Sequence, residues 1–190
     1  MESHKNQLIS RILELRRKSF KTFVSRLKFD TQPAQESTNA NNLKGYEFER
    51  FVVSRFDRHY FTLVEWRSDK NVDGIFPLMC QFPDLEFYFE NTNQSCRFAI
   101  ECKWRETLFQ NCISLNEVQL ENYPHYQQIT GNPTFLVIGL DNVPCFPTHV
   151  YILPLSDIKN PVLHEFHLEK YRRHRPHDFF YLNCETKKLK

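Results

Sequence analysis

The alternation of hydrophobic and polar residues divides the chain into a helical start, a polar connection and a remainder rich in strands. Apolar residues recur at roughly helical spacing through residues 5–28, which predicts an amphipathic helix. Residues 30–43 are polar and contain Pro33, a composition typical of a linker. Helical spacing returns from Gly45 to about Arg58, so the globular part is expected to open on a second helix.

Shorter apolar segments further along predict a sheet and one more helix. Strands are predicted at 60–67, 85–90, 97–104, 134–140 and 149–155. Turn residues between the second and third strands predict a β-hairpin. The last two segments are almost continuously apolar, which is typical of central strands covered on both faces. Residues 115–129 have helical character, and Pro124 favours a kink or a late start of that helix.

This order predicts a single α/β domain with a mixed central sheet flanked by helices, preceded by a basic helix. The tail from Leu163 is expected to add a strand or a short helix with a basic face. The predicted organisation is a basic amphipathic helix at 1–30, a polar linker at 31–43, the α/β domain at 44–158 and a His- and Arg-rich extension packed on it at 159–190.

Composition and motifs exclude several classes of protein. The chain has only four Gly and neither of the usual phosphate-binding glycine motifs, so no nucleotide cofactor is expected. No run of about 18 apolar residues predicts a membrane span. The start of the chain lacks the apolar core of a signal peptide, which favours a cytoplasmic protein. The six Cys show no CxxC pair, so we expect them to be reduced thiols.

Charge is distributed unevenly along the chain. Residues 1–28 hold eight Lys or Arg against two Glu, a net charge of +6, and residues 159–190 hold eight against four, a net charge of +4. The middle, 29–158, holds nine against seventeen, a net charge of −8. Basic ends around an acidic centre fit an enzyme that binds a polyanion and holds a metal with carboxylates. Solvated termini explain the same pattern equally well.

The central chemical feature is an acidic residue before one strand of the hairpin and an acid–lysine pair on the next strand. Asp84 follows Pro83, and the second strand carries Glu101 and Lys103. Side chains alternate across a strand, so Glu101 and Lys103 share one face. The hairpin would bring Asp84 beside Glu101.

These three groups suit the hydrolysis of a phosphodiester. Two carboxylates can hold a hard cation such as Mg²⁺, for which Mn²⁺ can substitute. The cation neutralises charge on a scissile phosphate and activates a bound water. The lysine can orient that water and stabilise the transition state.

The segment resembles the signature of the PD-(D/E)xK nucleases, with Asp84, Glu101 and Lys103 at the matching positions. The Lys44-to-Glu49 segment (KGYEFE) resembles the opening helix of that family, and the Gln119-to-Tyr123 segment (QLENY) resembles its QxxxY element. The resemblance covers about 44–155. It implies a restriction-endonuclease-like, Holliday-junction-resolvase-like αβββαβ core that acts mostly on DNA.

The resemblance also implies roles for particular residues. The catalytic set is Asp84, Glu101, Lys103, Glu49 and Gln119, of which Asp84, Glu101 and Glu49 bind the metal. Separately from the resemblance, which does not extend to either end of the chain, the predicted nucleic-acid contacts are Arg105, Tyr123, Arg172, Arg173, Arg175, Arg16, Arg17 and Lys18. Alternatives stay open: Asp73 for Asp84, Glu47 for Glu49, and an assisting role for Glu86. Tyr123 as a packing residue and the Arg172–Arg175 run as solvated surface are also open.

The resulting interpretation is a Mg²⁺-dependent deoxyribonuclease. Cutting both strands of a duplex commonly uses two active sites, which is compatible with a homodimer. The principal alternative is a catalytically silent protein of the same fold that binds DNA or serves as an assembly subunit. A second alternative makes the basic helix at 5–28 the functional part, as an element that binds a partner or mediates oligomerisation.

Overall fold

The computed structural model describes residues 38–67 and 82–190. The helices are α1 (Thr38–Ser54), α2 (Glu117–Thr130) and the short α3 (Glu165–Leu168). The strands are β1 (Phe61–Trp66), β2 (Leu85–Glu90), β3 (Ser95–Arg105), β4 (Cys112–Ser114), β5 (Thr134–Leu140), β6 (His149–Pro154), β7 (Val162–His164), β8 (Leu182–Asn183) and β9 (Lys188–Leu189). Two 3₁₀ turns follow β6 and α3, at Leu155–Asp157 and Glu169–Tyr171.

The centre of the molecule is a mixed sheet with the strand order β1-β2-β3-β5-β6. The strands β1, β2 and β3 are antiparallel neighbours, β3 and β5 run parallel, and β6 returns antiparallel to β5. A parallel pair needs a crossover, and α2 supplies it. The predicted order of helix, three strands, helix and strand is therefore confirmed, as is the mixed α/β fold class.

The β2–β3 hairpin has the predicted turn. The Asn91 side chain accepts hydrogen bonds from the backbone N–H groups of Asn93 and Gln94, which closes the reversal. Leu85 at the start of β2 pairs with Ile100. One step further along this register, Asp84 lies beside Glu101, as the alternation of the sequence predicts.

Each face of the sheet is covered by its own apolar layer. Aromatic residues of α1 and the sheet, with Phe180, Leu182 and Leu189 from the end of the chain, form the first layer. The second layer joins β5 and β6 to Tyr123 of α2 and Leu168 of α3. The fold therefore encloses β5, all seven of whose residues are buried.

Three elements differ from their predicted form. The helix α1 begins at Thr38 and ends at Ser54, earlier at both ends than the pattern indicates. The helix α2 begins at Glu117 and continues through Pro124, so the late start is wrong. The strand β6 lies at the sheet edge, and its apolar character reflects cover from the tail, where Arg173 N donates to the carbonyl of Val150.

The cysteines correct another prediction. Cys96 at the start of β3 and Cys184 near the end of the chain form a disulfide, whereas Cys102, Cys112 and Cys145 are free. The pair is separated by 88 residues, so spacing along the chain gives no indication of it. The prediction of six reduced thiols is therefore wrong for these two.

Other predictions fall on residues outside the described ranges. These are the basic helix at 5–28 with Arg16, Arg17 and Lys18, most of the linker, and Asp73. No helix within 38–67 or 82–190 is long and apolar enough to cross a membrane. The cytoplasmic location stays a prediction.

Candidate active site

Backbone N–H groups from two other segments, at Arg67 and Cys102, hold Asp84 in place. Its own carbonyl accepts a hydrogen bond from Arg67 N at 2.7 Å, which ties it to the end of β1. Its carboxylate Oδ2 accepts one from Cys102 N, also at 2.7 Å. The residue before β2 is thereby held against β3, where the acid–lysine pair lies.

Glu101 and Lys103 lie on the same face of β3. Lys103 Nζ is 2.6 Å from Glu101 Oε1 and donates to Gln119 Oε1 at 3.1 Å. The Glu101 residue is 1% exposed, and its Oε2 accepts no hydrogen bond from the residues that the structure describes. A buried carboxylate of this kind depends on neighbouring positive charge for its stability.

Gln119 reaches Lys103 because the first turn of α2 is well anchored. The Asn116 side chain caps the helix by accepting from Val118 N and Gln119 N. This caps two of the backbone donors that a helix start leaves without partners. This contact places Gln119 beside Lys103, and its role in the site stays a prediction.

Glu49 approaches from α1 on the other side of the sheet. Trp66 Nε1 donates to Glu49 Oε2 at 2.5 Å, and the ring of Tyr46 stacks on that of Trp66 at 5.3 Å between centroids. Glu49 lines the cavity described below, whereas Glu47 is not among its lining residues. The structure therefore favours Glu49 over Glu47.

The charges of these residues act on one another. Burial raises the pKa of the Asp84 carboxyl well above its usual value, the charges of Glu101 and Glu49 raise it further, and Lys103 lowers it. Burial and the same carboxylates raise the pKa of the Cys102 thiol. Both effects favour the protonated thiol of Cys102 over its thiolate.

A cavity of about 650 Å³ opens beside this cluster. Asp84, Glu49 and Lys103 line it. Its rim includes Lys44, whose Nζ lies 5.2 Å from the centroid of the Trp104 ring. The remaining lining residues are Asn41, Asn42, Gly45, Tyr46, Cys102, Arg105 and Glu106. The cavity gives an extended ligand access to the cluster.

The residues fit a divalent cation by donor type and charge. Asp84, Glu101 and Glu49 offer the hard oxygen ligands that Mg²⁺ prefers, and Lys103 balances only one of the three charges. Across the described ranges, no three His, Cys, Asp or Glu side chains are grouped closely enough to hold an ion together. Mg²⁺ commonly needs only one or two carboxylates, because substrate phosphates and waters complete its shell.

Two predicted roles are corrected by packing. Tyr123 is 4% exposed and lies in the second apolar layer, since its position on α2 faces the sheet, so it is a packing residue and not a DNA contact. Glu86 is paired with Arg67 at 2.9 Å and Arg97 at 3.3 Å, and accepts from Tyr126. These partners satisfy its carboxylate, so it does not assist the metal.

The predicted arginine contacts lie in two places. Arg105 lines the cavity of the site. Arg172 and Arg175 are exposed on the tail beyond β6. The Arg173 guanidinium instead donates to the carbonyls of Arg175, Asp178 and Phe179 and lies over the Phe180 ring. These contacts between Arg173 and its neighbours stabilise the tail. The prediction that Arg173 contacts DNA is therefore corrected.

Sequence reasoning missed the residues that shape the site around the acids. Trp66 positions Glu49, and Trp104 and Lys44 form one wall of the cavity. The one available signal was the position of both Trp residues near strand ends, next to the polar residues of the site. That signal does not say which acid a Trp would contact.

Comparisons with known proteins found similarity among solved structures. No protein-family model matches the chain, and no curated protein matches it. Among solved structures, it is similar to Hjc, a Holliday junction resolvase from the archaeal hyperthermophile Archaeoglobus fulgidus. The TM-score is 0.47 and the sequence identity 17%, over 66% of this chain and 93% of that chain.

Proposed function

We propose that this protein is a divalent-cation-dependent nuclease that hydrolyses phosphodiester bonds in DNA. The observation that carries the proposal is the contact of Lys103 with both Glu101 and Gln119, beside the half-buried Asp84. Two carboxylates and a lysine next to an open cavity are the groups of the PD-(D/E)xK signature that the sequence resembles. DNA is proposed as the substrate on the strength of that resemblance.

Asp84 and Glu101 would hold the cation, and Glu49, which lines the cavity, would support the site with its charge. Three carboxylates beside one ammonium leave negative charge that a divalent ion would balance. Burial, together with this repulsion, raises the pKa of Asp84. When bound, Mg²⁺ neutralises charge on the scissile phosphate and lowers the pKa of a bound water. Trp66 supports Glu49 through its hydrogen bond.

Lys103 would position the attacking water and stabilise the charge that develops on the phosphate oxygens. Its Nζ is held in place by two partners on different elements, so little reorganisation is needed during the reaction. Arg105 and Lys44, at the cavity, would contact the DNA backbone. The predicted homodimer and the predicted contacts of Arg16, Arg17 and Lys18 stay predictions.

The test is cleavage of supercoiled plasmid, linear duplex, single-stranded DNA and a four-way junction with Mg²⁺ or Mn²⁺. We expect cutting that depends on the metal and falls at least about 100-fold in Lys103→Met, the typical cost of removing one group that stabilises transition-state charge. Lys159→Met is the matched control, because Lys159 is exposed and far along the chain from the site.

The outcomes separate the proposal from its principal alternative. Equal cutting by Lys103→Met and wild type would show that this site is not the catalyst. DNA binding without cutting by the wild type, together with no thermal stabilisation by Mg²⁺ or Mn²⁺, would favour a catalytically silent protein of the same fold.

A further inference from the structure

A continuous row of backbone pairs connects the candidate site to the basic tail. Lys103 of β3 pairs with Ile138 of β5, and Ile138 pairs with Tyr151 of β6. Tyr151 in turn forms a bridge with Arg172. Neighbouring strands lie about 4.8 Å apart, so three steps place the Arg172 backbone about 14 Å from that of Lys103.

A second cavity, of about 700 Å³, lies at this far edge of the sheet. Its lining includes six Lys or Arg and one acidic residue, Asp157. The basic residues are Lys170, Arg172, Arg173, Arg175, Lys188 and Lys190. This is a higher concentration of positive charge than expected of a chain whose net charge is only +2.

Three of these cations are directed outward. Leu189 at the end of β9 is buried, whereas its two neighbours, Lys188 and Lys190, are both exposed. Arg175 has a side chain that is 82% exposed, and it lies 3.7 Å from Asp178. No ion pair involves Lys188 or Lys190 within the parts of the chain that the structure describes. These side chains are therefore available to an external anion.

The remaining cations are used differently. Lys170 Nζ lies 4.6 Å from the centroid of the Tyr171 ring, Arg172 lies 3.4 Å from Glu169, and the Arg173 guanidinium binds the tail's own carbonyls. They shape the cavity wall. Like charges gathered in one concave surface repel each other and destabilise the compact state unless an anion is bound. A ligand with several closely spaced negative charges would relieve that repulsion.

We propose that this cavity binds the sugar–phosphate backbone of the DNA that the candidate site cleaves. The identity of the ligand rests on the proposed function. The separation of about 14 Å along the row is comparable with the width of the major groove, which is about 12 Å. One duplex can therefore place one strand at Lys103 and the opposite strand at the cavity, so that the cavity sets the register of the duplex.

The test compares two double variants that each remove two positive charges. Arg175→Gln/Lys188→Gln changes the cavity, and Arg50→Gln/Arg58→Gln changes two exposed arginines outside both cavities. Binding of a fluorescently labelled 20-base-pair duplex is measured by anisotropy in EDTA at several salt concentrations. Thermal melting of each variant confirms that it is folded.

For the cavity variant we expect the slope of log K against log[salt] to become shallower by about 1.8, the loss of two phosphate contacts. By the same relation, affinity at 50 mM salt should fall about 200-fold when affinity at 1 M salt is unchanged. The control variant should keep the wild-type slope. Equal slopes for the two double variants, or no binding of the duplex by wild type, would overturn the proposal.

Two further results would distinguish this proposal from the proposed nuclease activity and from a site for small polyphosphates. A shallower slope in the cavity variant, with no cleavage by wild type under any condition, would retain the cavity as a DNA site and reject only the nuclease activity. Inorganic tripolyphosphate is the second probe. In the contrary result, tripolyphosphate raises the Tm of wild type but not that of the cavity variant, while both bind the duplex with the same slope of log K against log[salt]. That result would identify a small polyphosphate site and overturn the DNA assignment.

Discussion

At the scale of single residues, Asp84 shows how the site combines order with electrostatic repulsion. Hydrogen bonds donated by Cys102 N and Arg67 N hold the residue in place, while burial and two neighbouring carboxylates oppose its ionisation. In the metal-free protein, the hydrogen bonds of Asp84 therefore stabilise the fold, whereas its negative charge destabilises it. A bound cation would remove the repulsion without disturbing the position.

The raised pKa of Asp84 predicts a dependence of stability on pH. Ionising a carboxyl whose pKa is raised in the folded state lowers the free energy of unfolding. This loss of stability is absent below the pKa of the unfolded state, where the carboxyl is protonated in both states, and it is complete once the pH has risen through the pKa of the folded state. In EDTA, Asp84→Asn should therefore stabilise the protein at pH 7.5 by about 1 kcal/mol, or about 2–4 °C in Tm. The gain should disappear near pH 4. Asn keeps an oxygen that can accept from Cys102 N.

Thermal melts at both pH values measure this effect, with Glu185→Gln as the control because Glu185 is exposed. A Tm difference between Asp84→Asn and wild type that is the same at pH 4 and pH 7.5 would contradict the assigned cause.

At the scale of elements, the close approach of α1 to the sheet determines where Glu49 lies. Gly139 of β5 has no side chain, and a methyl group there would overlap the ring of Phe48 on α1. Phe48 is fully buried and adjacent in sequence to Glu49. The absence of a Cβ at Gly139 thus lets α1 pack close enough to the sheet to bring Glu49 to the cavity.

Gly139→Ala should therefore destabilise the protein by about 1–3 kcal/mol, the usual cost of adding a methyl group to a packed core. Gly45→Ala is the matched control, since nothing lies within 4 Å of a methyl group there. It lies inside α1, so it should stabilise by about 0.5–1 kcal/mol. Urea unfolding distinguishes the two, and equal effects of the two substitutions would show that Gly139 does not set the helix position.

At the scale of the whole molecule, the end of the chain is integrated into the core. Phe180, Leu182 and Leu189 belong to the apolar layer beneath α1, and the Cys96–Cys184 disulfide ties this segment to β3. The same segment carries Lys188 and Lys190 into the basic cavity. Cover of the core and the proposed DNA contact therefore depend on one segment.

Removing the disulfide should destabilise the fold without abolishing it. A cross-link across 88 residues restricts the unfolded chain, and such links typically contribute about 2–4 kcal/mol. Cys184→Ser should lose stability by that amount in urea, and dithiothreitol should lower wild type to the same level. Cys145→Ser, at an exposed free thiol, serves as the control. No response of wild type to dithiothreitol would contradict the cross-link.

The sequence by itself determined the order of elements and the central residues of the site. Alternation within a strand places Glu101 and Lys103 on one face, and the hairpin turn brings Asp84 beside them, because both depend only on residues near one another in the chain.

Only the tertiary structure decided the partners of residues far apart in sequence. It joined Trp66 to Glu49, paired Cys96 with Cys184, buried Tyr123 and engaged Glu86 with Arg67 and Tyr126. It also paired the tail with β6, so that Arg172 lies in the same row of backbone pairs as Lys103. Periodicity reports which face of an element is apolar but not which element packs against it, since that choice depends on the packing of the whole chain.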